Sequence, residues 1–146
     1  MKFKAKIAEG FKNGSSNTDF AVDGPHLSDE ELAVIQKFMD DIAEGKPLEG
    51  KNKPSWVDDD YNFIPGTEGY RDENYWHYHC GPAWNKFTFK GFTYDLKFNP
   101  NGTHSKECIH YAKISDDMIS IVGYSRKHLP FKLSRDKDNP FFDEEE

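Results

Sequence analysis

Two apolar, β-branched segments, residues 107–114 and 118–125, flank the acidic pair Asp116-Asp117, which is the pattern of a β-hairpin. The second segment runs into Tyr124-Ser125-Arg126-Lys127-His128, so a phenol, two cations and an imidazole leave its end. Residues 1–8 alternate Phe3, Ala5 and Ile7 against Lys2, Lys4 and Lys6. That period of two predicts a half-buried strand whose lysine face suits a sheet edge. Residues 9–24 are rich in Gly, Asn, Ser and Asp and read as loop.

The strongest helix signal follows. Ser28-Asp29-Glu30-Glu31 is a capping box, with Leu27 and Leu32 placed for a hydrophobic staple. Leu32, Ile35, Phe38, Met39 and Ile42 make one apolar stripe, and Gly45 with Pro47 ends it. One buried face predicts packing on a sheet. Residues 47–74 show little periodicity. Asn74 to Cys80 has strand character and alternates Tyr75, His77 and His79 against Trp76, Tyr78 and Cys80. Phe87 and Phe89, then Phe92, Tyr94, Leu96 and Phe98 in the other parity, predict further strand broken at Gly91. Asn99-Pro100-Asn101-Gly102 is a turn. The order strand, helix, irregular segment, strands predicts an α+β fold: an N-terminal strand and helix on a twisted, mostly antiparallel sheet. Residues 1–135 form one domain in this reading, and 136–146 an acidic, flexible tail.

At 146 residues the chain is long enough for one real core, and aromatics at 15% offset a low hydrophobic fraction of 36%. The sequence has no apolar run of membrane-spanning length and no apolar segment behind its first lysines, which predicts a cytoplasmic protein with no membrane partner. Cys80 and Cys108 fit buried thiols in neighbouring strands, although a disulfide is the other reading. The formal charge of -7 argues against nucleic acid at face value, but its distribution does not. Residues 86–135 carry nine cations against four acids, between an acidic first half and an acidic tail. Chance asymmetry of solvated faces is the bland alternative.

The sequence contains no P-loop, GxGxxG, HExxH or GxSxG. Asp58-Asp59-Asp60 reads as a solvated turn, because consecutive side chains diverge. His77 and His79 share a strand face; a metal there would need a third ligand such as His110 or Cys108, whereas proton transfer needs only a histidine. Structural histidines in an aromatic face are the plain alternative. Tyr124, Arg126, Lys127 and His128 make a fuller set. RNA cleavage by internal transfer needs a base for the 2′-OH, an acid for the leaving 5′-oxygen and cations for the phosphorane charge. A basic turn that solvates a strand end is the competing account. An exposed aromatic such as Tyr75 or Trp84 would stack on an unpaired base.

The capped helix from Leu27, its Gly45/Pro47 end, the Trp76-His77-Tyr78-His79 strand and the hairpin ending near a histidine resemble the layout of YafO-type toxins. These belong to the RelE/ParE-like family of bacterial toxin–antitoxin systems. The resemblance spans roughly residues 27–132. It implies a RelE-like fold, ribosome-associated mRNA cleavage without metal or cofactor, and a cognate antitoxin partner. The positions it matches are His77, His79, Tyr124, Arg126, Lys127 and His128, of which His77, His79, Tyr124, Arg126 and His128 are the expected catalytic residues; Lys86, Lys90, Lys113, Lys127 and Lys132, from the basic stretch, are the expected RNA contacts. The chain departs from the family in its length, its net acidity and its acidic tail. A non-catalytic inhibitor or immunity-type protein on a similar sheet is the alternative, favoured by the acidic surfaces. A metal-dependent enzyme using His77 and His79 is a third reading.

Overall fold

A computed structural model describes residues 2–18, 21–88 and 90–127. It contains β1 (Lys4–Ile7), α1 (Glu9–Asn13), α2 (Asp29–Ala43), β2 (Asn52–Pro54), α3 (Glu68–Asp72), β3 (Tyr75–His79), β4 (Trp84–Asn85), β5 (His104–Ser105), β6 (Cys108–Ser115) and β7 (Met118–Ser125). Five strands form one sheet in the order β1-β7-β6-β3-β2, and β4 pairs with β5 separately. All pairs are antiparallel except β1 with β7, which is parallel. The fold is α+β with a mostly antiparallel sheet. The hairpin β6–β7 lies inside the sheet, and the lysine-bearing β1 is an edge, as its alternation predicts.

The capping box forms as written. Ser28 Oγ accepts from the Glu31 amide at 3.1 Å, and Glu31 Oε1 accepts from the Ser28 amide at 2.8 Å. Gly45, at φ 72°, takes the left-handed conformation just beyond the helix end. Ile35, Phe38 and Ile42 are buried against the sheet, whereas Leu32 is 45% exposed, so the predicted staple with Leu27 does not bury it. Phe38 stacks on Tyr78 with ring centroids 5.1 Å apart and lies 5.9 Å from Tyr111. Trp76, Tyr78, Ile109, Tyr111, Ile119, Ile121 and Tyr124 belong to this core. Cys80 and Cys108 are buried free thiols.

The other face of the sheet is polar. Cross-strand register sets His77 opposite His110 and His79 opposite Cys108. Lys53 pairs with His77 on β2, and the Lys51 carbonyl accepts from the His79 amide at 2.9 Å. Lys51, Lys53, His77, His79 and His110 therefore share the face away from α2. Gly50 permits this edge to close: a Cβ there would lie 1.8 Å from the His79 carbonyl oxygen.

Three expectations meet a different outcome. Residues 92–98 do not form a strand; Asp95 and Leu96 have φ of 56° and 52°, which breaks the extended run. The segment 47–74 holds β2 and α3, and the predicted loop 9–24 holds α1. In β7 a register shift between His110 and Tyr111 leaves Val122 as an extra residue: His110 pairs with Gly123, but Tyr111 pairs with Ile121. This bulge inverts the parity of everything after it. The expected tail 136–146 lies outside the described residues.

Candidate functional site

The bulge decides where the sequence-predicted residues go. Simple alternation from Ser120 would carry Tyr124 to the histidine face. With Val122 as the extra residue, Tyr124 instead pairs opposite Ile109 and points into the apolar core, where it is fully buried. Burial raises its phenol far above the ordinary tyrosine range, so it is no proton-transfer group at neutral pH.

Arg126 has the same parity as Tyr124 and is engaged elsewhere. Its Nε and Nη2 donate to Glu31 Oε2 and Oε1 at 2.7 and 3.0 Å, Nη2 also to the His26 carbonyl at 2.9 Å, and Nη1 to Asn17 Oδ1 at 3.3 Å. This bidentate contact ties the end of β7 to the first turn of α2. It also lowers the Glu31 carboxyl below its usual range. The structure thus does not bring Tyr124 and Arg126 together with His77 and His79. His128 and Lys132 lie outside the described residues.

The predicted RNA-contact lysines also separate. Lys113 lies on the α2 side, its Nζ 3.5 Å from the centroid of the Trp76 ring and donating to the Leu96 carbonyl at 2.7 Å. Its burial lowers it to about 8. Lys86 bonds Glu49 and sits over the Trp84 ring at 5.3 Å. Lys90 is exposed in the loop before Gly91. Lys127, one residue past Arg126, has the opposite parity and lines a cavity with His79.

That cavity of about 500 Å³ is bounded by His79, Ala83, Asn85, His104, Ser105, Lys106 and Lys127. It lies at the end of the polar sheet face, where β3 and β5 meet. The rings of His79 and His104 stack, with centroids 5.6 Å apart and planes 27° apart. His79 Nδ1 lies 2.9 Å from the Ser105 carbonyl oxygen and 3.3 Å from its amide nitrogen. The carbonyl accepts from Nδ1 when that nitrogen carries the proton and the amide donates to it when it does not, so Ser105 holds this nitrogen in either tautomer of the ring. His79 is buried and fixed, while His104 is partly open. His104 is held below the ordinary histidine range by burial and then by the nearby Lys51 charge. It is therefore neutral, and a competent base, at neutral pH.

Beyond the cavity the histidines continue across the sheet. His77 lies 5.8 Å from His79 and 6.2 Å from His110 between ring centroids. Each is anchored by a serine: His77 Nδ1 to Ser55 Oγ at 3.0 Å and His110 Nε2 to Ser125 Oγ at 2.7 Å. His110 is thus the cross-strand neighbour that a His77/His79 metal would need, yet among the described residues no three His, Cys, Asp or Glu side chains stand in a metal-holding group. Among the described residues no helix is long and apolar enough to cross a membrane.

Sequence reasoning missed His104, on a two-residue strand too short to show periodicity, and Lys106 in the bend that follows it. It also missed Lys51 and Lys53, although their spacing of two beside Ser55 is a strand signal. Compared with protein-family models, curated proteins and solved structures, the chain matches none.

Proposed function

We propose that the protein is a metal-independent endoribonuclease of toxin type, acting at the His79/His104 cavity. The observation that carries this reading is a cavity holding two stacked histidines and two lysines on its wall. His104 takes the proton from a ribose 2′-OH. The 2′-oxygen forms a bond to the adjacent phosphorus, and the bond to the 5′-oxygen breaks. Lys106 or Lys127 returns a proton to that leaving oxygen, and both cations balance the phosphorane charge. His79 is a positioning residue: it holds the His104 ring by stacking and is itself fixed by Ser105. The products are a 2′,3′-cyclic phosphate and a 5′-hydroxyl. Association with the ribosome and neutralisation by a cognate antitoxin belong to the same proposal, and cellular expression is expected to arrest growth.

The test is incubation of the purified chain with RNA, free and ribosome-bound, in the presence of a chelator. Cyclic-phosphate ends are expected in at least one arm. His104→Ala is expected to lower the rate by about 100-fold or more, the usual contribution of a general base, with the fold intact by circular dichroism. An undiminished rate in that variant removes His104 from the mechanism, and intact RNA in both arms ends the nuclease reading.

A second reading, a non-catalytic protein-binding module, is favoured by one observation. Phe87 is 99% exposed, and Tyr61, Phe92 and Tyr94 are each about half exposed. Aromatic side chains at a surface suit protein partners. Tolerated expression with no RNA fragments favours this reading.

A further inference from the structure

Lys51 and Lys53 stand apart from the other surface cations because their side chains are only 7% and 13% exposed. Both point to the same partner: their Nζ atoms lie 2.6 and 2.9 Å from a single oxygen, Asp59 Oδ1. Among the described residues no other carboxylate forms an ion pair with them. Two ammonium groups against one carboxylate leave a unit of positive charge in a partly desolvated place, where a second negative charge is worth more than in water. The field of the pair reaches His104, which senses Lys51, Asp59 and Lys53.

Asp59 differs from its lysines in exposure: its side chain is 53% open to solvent. The turn that carries it is built without it. Asp58 Oδ1 accepts from the amides of Asp60 and Asn62, both at 2.9 Å, and Tyr61 takes φ of 65°. The Asp59 side chain is therefore free to rotate toward water without dismantling the turn. Burial alone would raise its carboxyl, but the two lysines outweigh this and hold it at about 2, so it stays ionised throughout the physiological range.

We propose that Lys51 and Lys53 form a phosphate-binding site of which Asp59 is the internal, displaceable counter-ion. A phosphate oxygen replaces Asp59 Oδ1 between the two ammonium groups, and a dianion compensates both where the carboxylate compensates one. The site stands on its own lysines and does not require RNA cleavage. Its ligand is a phosphoryl group, either a free phosphate or the diester of a nucleic acid.

Calorimetric titration of the full chain with inorganic phosphate, and separately with an RNA dinucleotide, tests it. Asp59→Asn removes the internal competitor and is expected to tighten binding of one or both ligands by about tenfold or more. Lys53→Met keeps the aliphatic stem and is expected to weaken binding by a similar factor. Asp59→Ser serves as a second variant should the asparagine disturb the turn, and thermal melting confirms folding of each. The ligand that responds to both changes is the one the site takes. Unchanged affinity for both ligands in the Asp59 and Lys53 variants, or equal binding of chloride, overturns the proposal.

Discussion

His104 is the residue whose environment has the most direct consequence for pH. Its folded-state pKa lies below the unfolded value of about 6.5, because burial and the Lys51 charge disfavour the imidazolium. Well above pH ~6.5 the ring is neutral in both states and contributes nothing to the pH dependence. As pH falls through ~6.5, the unfolded chain takes up the proton first, and the folded state loses stability. The loss is complete only below the folded-state pKa. Thermal melting from about pH 7.5 down to about pH 5.5 is therefore expected to show a falling Tm, with a shallower fall in His104→Gln. Identical slopes in the two proteins refute the assignment. The same shift keeps His104 in its basic form for the proposed chemistry, so stability and activity are expected to fail in the same direction as pH drops.

At the scale of elements, the join between β7 and α2 runs through one carboxylate. Glu31 accepts from the Ser28 amide to close the capping box and receives both arms of Arg126. Ser28→Ala is expected to cost about 1 kcal/mol, the usual worth of a helix N-cap. Arg126→Met is expected to cost a comparable amount, moderated by solvent because the arginine is 37% exposed. Since both act on Glu31, the double variant is expected to depart from additivity by about 0.5 kcal/mol or more in urea unfolding. Strict additivity would mean that the cap and the clamp are independent. This join also shows what the sequence made legible and what it hid. The capping box and the 3.6-residue stripe are local, so α2 was readable. So was the hairpin, and so was the pairing of His77 with His79 on one face, since each follows from spacing alone. The side taken by Tyr124 was not readable. It depends on a single extra residue, Val122, and although Gly123 stands beside it, one glycine in a β-branched run does not say which neighbour is the extra one. The cavity was hidden for a related reason. Its walls come from the end of β3, the two-residue β4 and β5, the bend before β6 and the position just beyond β7, so only tertiary structure assembles them.

The whole molecule has a net charge of -7, so an RNA chain is repelled at long range and any affinity must come from local contacts. Much of the cationic charge is already committed within the described residues. Asp59 holds Lys51 and Lys53, Glu49 holds Lys86, Glu31 holds Arg126, and Lys113 rests on Trp76. Lys106 and Lys127 are the lysines that line the cavity. An RNA seated there neutralises about two phosphates, and single strands lose about 0.7 in log K per log salt for each. The expected slope for binding of a short single-stranded RNA is thus about -1.4, shallow for a nucleic-acid-binding protein. Asp59→Asn should steepen it toward about -2, because the lysine pair then accepts one more phosphate. Fluorescence anisotropy across a salt series measures both slopes. A slope near zero would mean that phosphate contacts carry none of the affinity. One much steeper, near about -4, would mean that RNA follows a broader basic surface and that the cavity is not its principal seat.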